Sequence, residues 1–306
     1  MEPNLITVEI LAGGLHEAFR RTDVVEQIGA YGLRRALESR ALHVPWPRVV
    51  VEGRRKAELR TRAAAAQLAF GAEAVLAGRT AAALHGCSAA ATPRTHVLLP
   101  YEQRVRSRSG LVVHRGRSYR EDAEMREGLR VLALDRVVAH LLCRLPAPDA
   151  LAVCDQALGL QSEECREAFR CRIGRRVDRR PDPRGTRQAR DLLALATGRA
   201  ESPPESWLLL RVVELGFPWP EVNWPLRSPW GQELYRLDLA WPELRIALEY
   251  HGYSVHAGRT AEDAARRAEL ERHGWIVEVA VAADLRDSRR LHAALRAAFS
   301  RRGYTW

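Results

Sequence analysis

The chain has 306 residues, a length that predicts two or three domains, each large enough to bury its own core. Its apolar runs are broken by charges before membrane-spanning length, its five cysteines lack C-x-x-C spacing, and its first residues do not resemble a signal peptide. We therefore expect a cytoplasmic protein without a zinc site or a disulfide framework. The net charge of +10 comes from residues 1–200, with 34 basic against 23 acidic residues, whereas residues 201–306 carry 14 against 15.

The first 55 residues are punctuated like a winged-helix DNA-binding domain. A short helix is predicted over residues 23–28, Gly29 ends it, and a second helix follows over residues 32–40. Residues 42–52 contain two β-prone runs broken by prolines, as in a wing. In such a module the second helix enters the major groove. The predicted DNA-binding residues on that helix are Arg34, Arg35 and Arg40, although arginines on an exposed helix can also be simply solvated.

Residues 56–170 predict a mixed α/β region. Helices are expected over residues 63–76, 79–84 and 134–144, and strands over residues 95–99 and 111–114. The run R-R-T-D-V-V-E-Q-I-G at residues 20–29 and the run A-V-L-A-G-R-T-A-A-A-L-H-G at residues 74–86 resemble AbiEi-type antitoxins of bacterial toxin–antitoxin systems. This resemblance implies DNA binding and regulation, with a cognate toxin as a candidate partner, and it implies no catalytic residue.

Residues 171–200 form a basic segment. Eight arginines lie between residues 171 and 190, against two aspartates, in a stretch that also contains Pro and Gly. We expect a linker or an exposed helix, with Arg175 and Arg176 as candidate contacts to a phosphate backbone; a solvated connector is the alternative.

Residues 201–306 predict a domain of helix, three strands, helix, strand and helix with a mixed sheet, so the fold class of the chain is α/β (α+β). The first helix follows S-P-P-E, where Ser202 and Glu205 form a capping-box pattern. Both a capping and a catalytic role for Glu205 stay open. The later elements are predicted over residues 222–226, 235–240, 246–251, 260–272, 275–281 and 288–301.

Two acidic residues lie in adjacent strands of this domain. If the connecting turn is centred between residues 243 and 244, Asp238 pairs with Glu249 on one face of the sheet. Carboxylates about 5 Å apart repel each other unless a cation lies between them. We therefore interpret the pair as a site for Mg²⁺ or Mn²⁺, and the alternative is that both carboxylates face solvent.

The same residues resemble the PD-(D/E)XK restriction-endonuclease-like superfamily, and within it the Vsr-like (very-short-patch-repair) endonucleases. The matching motifs are S-P-P-E at 202–205, R-L-D-L-A-W-P at 236–242 and E-Y-H-G at 249–252, followed by His256 and Arg266. The resemblance implies that Asp238 and Glu249 hold the metal, that Glu205 assists, that His251 or His256 handles protons, and that Arg266 contacts DNA. His251 departs from the family, which usually has a lysine or an acidic residue there.

These expectations combine into a metal-dependent DNA endonuclease directed to double-stranded DNA by a winged helix, in repair or in defence against phage and mobile elements. The alternative function is a non-catalytic transcriptional regulator or type IV antitoxin whose last domain only binds DNA or a partner, including a second copy of the chain.

Overall fold

The computed structural model describes residues 11–116, 122–252 and 260–305, without the side chains of residues 260–263. Two compact units divide the chain. The first unit contains Met1–Leu141 and Arg175–Arg180, and the second contains Leu142–Gly174 and Pro181–Trp306. Mixed helix and sheet in both units confirm the predicted α/β class. Among the helices that the structure describes, none combines the length and hydrophobicity that a membrane span requires.

The first unit begins with a small sheet and a kinked helix; the sequence predicts the break in the helix and the two strands within residues 42–52, but not strand β1. Gly29 has a φ of +71°, which interrupts the helix and separates two helical segments. The second segment ends earlier than predicted, so Arg40 lies in the following turn with a φ of +61°, where the chain reverses into the hairpin. The elements are β1 (Ala18–Arg20), α1 (Arg21–Glu38), β2 (Leu42–Trp46) and β3 (Val49–Glu52), in the sheet order β1-β3-β2.

A five-stranded sheet with the order β6-β5-β4-β8-β7 forms the rest of the first unit. The helix predicted over residues 63–76 is wrong at its end, because Gly71 with a φ of +83° stops it and a strand follows. The elements are α2 (Leu59–Phe70), β4 (Val75–Leu76), α3 (Gly78–Leu84), β5 (Thr95–Leu99), β6 (Leu111–Arg115), β7 (Ala123–Arg126), β8 (Leu129–Leu132) and α4 (Leu134–Leu142). The β7–β8 hairpin was not predicted.

Four helices precede the sheet of the second unit, and they include most of the segment 171–200, for which the sequence predicts a linker or an exposed helix. The helices are α5 (Ala147–Gly159), α6 (Glu163–Asp178), α7 (Thr186–Leu195) and α8 (Pro203–Glu214), and the residues of α6 from Arg175 onward belong to the first unit. Of the two predicted alternatives for residues 171–190, a linker or an exposed helix, the structure has helices, and their apolar faces are buried: Ile173 and Ala189 are fully buried, and Leu192 and Leu193 are buried on α7. The arginines of this segment are placed on helices whose apolar faces join a core.

A four-stranded mixed sheet with the order β12-β11-β10-β9 completes the second unit. Its elements are β9 (Glu221–Arg227), β10 (Glu233–Trp241), β11 (Ile246–His251), α9 (Thr260–Arg272), β12 (Ile276–Val281) and α10 (Arg289–Arg301). Strands β11 and β12 are parallel and the other pairs antiparallel. The predicted element order is confirmed. The predicted turn centre is confirmed as well, because Ala240 pairs with Ala247 and Leu239 with Leu248.

Candidate functional site

The two predicted carboxylates meet on neighbouring strands of the second unit. Asp238 lies one residue before the confirmed pairs on β10, and its Oδ2 accepts the backbone N–H of Tyr250 on β11 at 2.8 Å. Glu249 is only 8% exposed. The pKa of Asp238 is raised to about 6, chiefly by burial and also by the charges of Glu205 and Glu249, against the opposing effects of the Tyr250 N–H and of Arg266.

Glu205 connects this pair to the start of α8. Its carboxylate accepts the hydroxyl of Ser202 at 2.7 Å, the N–H of Glu201 at 2.8 Å and the side-chain amide of Asn223 at 3.1 Å. The predicted capping box is wrong in detail, because the Ser202 side chain donates to Glu205 and does not cap the helix N–H groups. Glu205 thus orders the entry to α8 and is close enough to Asp238 to affect its pKa.

Arg266 is the cation of the site. Its guanidinium donates to Glu249 Oε1 at 2.7 Å and to the carbonyl oxygen of Arg236 at 2.8 Å, and it lies 5.5 Å from the ring centroid of Tyr235. These contacts hold Arg266 inside the domain on α9. Arg266, which the sequence predicts as a DNA contact, is therefore paired within the domain, because the buried carboxylate of Glu249 needs a countercharge.

Of the two candidate histidines, His251 lies within the described residues and His256 does not. His251 is half-buried at the end of β11, and its Nε2 lies 4.0 Å from Glu249 Oε2. His256 lies in residues 253–259, outside the described residues. Of the predicted catalytic set, the structure thus brings together Glu205, Asp238, Glu249 and His251.

The carboxylates of Glu205, Asp238 and Glu249 meet some of the requirements for binding a hard divalent ion. Three carboxylates, when ionised, exceed the single charge of Arg266, and the raised pKa of Asp238 reflects a site that an added cation would relieve. Mg²⁺ commonly uses one or two protein carboxylates and keeps its waters. Within the described ranges, no group of three His, Cys, Asp or Glu side chains could hold a metal ion. Among these residues, Asp238 and Glu249 would be the protein ligands of a bound ion.

The predicted DNA-contacting arginines of the first unit fall into two groups. Arg34, Arg35 and Arg40 are exposed, Arg34 lying 5.4 Å from the ring centroid of Tyr31. Arg175 is exposed on α6 as well. Arg176 differs from these arginines, because its guanidinium donates to Asp122 at 2.7 Å and to Asp135 at 3.2 Å.

The contact of Arg176 with Asp122 is explained by the burial of Asp122. Asp122 is 3% exposed and also contacts Arg136, so this buried carboxylate needs the guanidinium groups around it. Arg176 therefore has a structural role in the first unit, and its predicted contact with a phosphate backbone stays a prediction.

Two polar features were not predicted. Asp155 is fully buried on α5 and accepts hydrogen bonds from the N–H groups of Thr197 and Gly198 at 2.7 and 2.9 Å and from the Ser206 hydroxyl at 2.8 Å. Burial raises the pKa of its carboxyl. Its position inside the apolar run L-A-V-C-D-Q-A-L could have signalled a buried acid.

The second feature is a histidine cluster formed by His96, His114 and His140 in the first unit. These residues are far apart in sequence, and only the pairing of β5 with β6 and the packing of α4 bring them together.

Comparison with known proteins gives three findings. Residues 73–195 match the AbiEi antitoxin C-terminal domain, which confirms the AbiEi-like resemblance and runs past residue 170 through α7. The chain is 36% identical over 233 residues to "Uncharacterized protein MT2308" and "Uncharacterized protein Rv2248", from two strains of Mycobacterium tuberculosis, covering 75% of this chain and 82% of each relative. A crystal structure of the RV2827C protein from Mycobacterium tuberculosis aligns with a TM-score of 0.36 at 16% identity, over 58% of this chain and 75% of that one.

Proposed function

We propose a function from one premise, which is that this chain belongs to the same protein family as the two Mycobacterium tuberculosis relatives and contains an AbiEi antitoxin-type domain over residues 73–195. On that premise we infer that the protein is a DNA-binding regulator of the antitoxin type. The observation that carries the proposal is the AbiEi match over residues 73–195, which follows a small module of kinked helix and hairpin with α2 between them. A cognate toxin is the partner that this class of protein implies.

The geometry of residues 11–55 supports double-stranded DNA as the ligand. The second segment of α1 carries Arg34 and Arg35 on its exposed side, while Leu33 and Ala36 on the other side are buried. A helix anchored in this way presents its charged face to a groove, and the β2–β3 hairpin beside it can reach the phosphates. The exposed ring of Tyr31 extends that face and lies next to Arg34.

The test is binding of the full chain to DNA from its own promoter and to a shuffled sequence. Replacing Arg34 and Arg35 together by Ala should lower affinity and flatten the slope of log affinity against log salt by about two, one for each lost phosphate contact. Arg289→Ala, which removes a 91% exposed arginine of the second unit, is the matched control. Equal affinity of the double variant and the control would reject this surface as the DNA contact.

A second candidate function, DNA hydrolysis, is favoured by one observation. Asp238 has a raised pKa and lies in a cluster with Glu205 and Glu249. In this proposal Asp238 and Glu249 hold Mg²⁺ or Mn²⁺, which when bound would activate water and stabilise phosphoryl charge. His251 would hold a proton near the site, and Glu205 would fix the position of α8 beside it.

A nicking assay separates the two functions. Plasmid is incubated with untagged protein and either Mg²⁺ or Mn²⁺, beside Asp238→Ala and beside Glu243→Gln, an exposed carboxylate on the same hairpin. Cutting that is lost in Asp238→Ala and kept in Glu243→Gln supports hydrolysis. Promoter binding with no cutting in either metal leaves the regulator as the function of the chain.

A further inference from the structure

The loop between β5 and β6, residues 100–110, carries three arginines at alternating positions, and we call it the arginine loop. They are Arg104, Arg106 and Arg108, and all three are exposed. Among the residues that the structure describes, none of their guanidinium groups has an ion-pair or hydrogen-bond partner. The loop therefore presents three positive charges to solvent that the fold itself does not use.

The path of the arginine loop is set by the sheet. Strands β5 and β6 are parallel neighbours, so the chain between them must run back along the sheet, and β6 is the outer strand. Arg115, at the end of β6, donates hydrogen bonds to the carbonyl oxygens of Pro100, Gln103 and Val105. The first half of the loop is thus tied to β6 through one guanidinium group.

The second half of the loop is tied to the same strand. Ser107 Oγ accepts the N–H of Val113 at 2.9 Å, and Arg108 and Leu111 exchange backbone hydrogen bonds at 3.1 and 2.9 Å. The loop therefore covers the outer edge of β6, as edge strands commonly require. Because these bonds hold the backbone, a ligand would have to order only the three arginine side chains.

The spacing of the three arginines fits a regularly repeating anion. In a segment that follows a strand, alternate residues lie about 6–7 Å apart. Consecutive phosphates of one DNA strand advance about 3.4 Å along the helix axis and also wind around it, so their separation is on the order of 6–7 Å as well. Tyr101, which is 66% exposed at the start of the loop, adds a hydroxyl that can donate to the same backbone.

We propose that the arginine loop binds the phosphate backbone of double-stranded DNA. The inference rests on the proposed function, because it takes DNA as the ligand, and it adds a contact that lies within the AbiEi-type domain, outside residues 11–55. Residues 1–141, which make up most of the unit that contains the loop, carry 22 basic against 15 acidic residues and so attract a polyanion. Phosphate contacts carry no sequence information, so the loop supplies affinity and orientation for any duplex.

The experiment measures binding of the full chain to a labelled duplex from its own promoter and to a shuffled duplex of equal length, over a series of salt concentrations. Replacing Arg104, Arg106 and Arg108 together by Gln should lower affinity for both duplexes by the same factor, at least about tenfold at about 0.1 M salt. The slope of log affinity against log salt should flatten by about 2.7, or about 0.9 for each phosphate contact. The corresponding triple Lys variant keeps the charges and should keep most of the affinity.

The matched control replaces three exposed arginines of the second unit by Gln, namely Arg272, Arg286 and Arg289. It lowers the net charge by the same amount and should leave the salt slope unchanged. Arg106→Gln alone should flatten the slope by about 0.9, which tests the loop with a single substitution of an exposed side chain.

Unchanged affinity and slope in the triple Gln variant overturn the proposal, and so does an equal effect of the control, since net charge alone would then explain the loss. The Arg34 and Arg35 double variant separates this inference from the proposed function. If only that variant loses affinity, the proposed function stands and the arginine loop is not a DNA contact. If only the loop variants lose affinity, the loop is a DNA contact and α1 is not. A wild type that binds neither duplex overturns both.

Discussion

Asp238→Asn tests whether the carboxylate cluster of the second unit is electrostatically strained. The substitution removes a charge and preserves shape, and the amide oxygen of Asn can still accept the N–H of Tyr250 that Asp238 accepts at 2.8 Å. Its NH₂ group can donate to the neighbouring carboxylates of Glu205 or Glu249. We therefore expect the variant to be more stable than the wild type at neutral pH, in contrast to most substitutions in a core.

The magnitude follows from the pKa of Asp238. A rise from the ordinary value of 3.8 to about 6 means that ionisation in the folded protein is less favourable by roughly two pKa units, or about 3 kcal/mol as an upper bound. The folded pKa is raised for an acid, so the penalty is absent below about pH 4. It grows as pH rises to about 6 and is complete above that value. We expect Asp238→Asn to gain about 1–3 kcal/mol at pH 7.5 and nothing at pH 4.

The assay is urea unfolding of both proteins in EDTA between pH 4 and pH 8, followed by far-UV circular dichroism. Glu243→Gln, with its exposed carboxylate on the same hairpin, should show no such pH-dependent difference. Adding Mg²⁺ should stabilise the wild type and leave Asp238→Asn unchanged if the pair holds a divalent ion. A variant less stable than the wild type at pH 7.5, or a gain that persists at pH 4, would refute the electrostatic account.

Three further predictions concern residues within one unit or the other, and each is measured as the free energy of unfolding in urea. Asp155→Ala should lose about 3–5 kcal/mol, because it leaves buried donors on α8 and the preceding loop without an acceptor; a loss below about 1 kcal/mol would contradict this. Arg176→Ala should lose about 1–3 kcal/mol because it removes one of the guanidinium groups that neutralise the buried Asp122, whereas Arg175→Ala, on the same helix but exposed, should stay within about 0.5 kcal/mol; equal effects would reject the structural role. Gly29→Ala should cost about 1–3 kcal/mol from backbone strain alone, since its φ is +71° and no atom would touch the new Cβ; an unchanged midpoint would show that the kink is not required.

The sequence predicted features that depend on local pattern. The alternation of apolar and polar residues around the turn at residues 242–245 fixed the pairing of β10 with β11, because a shift by one residue would turn the buried Leu237 and Leu239 outward. Gly29 predicted the helix break because only glycine readily adopts its conformation. These are properties of a few neighbouring residues, so they can be read without knowledge of the fold.

The features that escaped prediction depend on distant partners. Arg176 meets Asp122 across 54 residues of sequence, and an arginine that neutralises a buried acid looks in sequence like one that binds phosphate. The same ambiguity applies to Arg266, whose partner Glu249 lies on another element. The composition of the basic segment, dominated by charge and Pro, does not decide between a linker and an exposed helix, and neither alternative shows that its few apolar residues are buried at helical spacing.

The contact of Arg266 with Glu249 is the physical point at which the two proposed functions diverge. A buried carboxylate that is already paired gains little from a second cation, whereas Asp238 has a raised pKa and stands to gain more. A divalent ion would therefore have to enter mainly through Asp238 and share Glu249 with the guanidinium. In a regulator, the same Arg266 pair needs only to keep α9 against the sheet, which requires no ion. Stabilisation by Mg²⁺ that depends on Asp238 thus distinguishes a site that can take up a metal from one that is complete with its arginine.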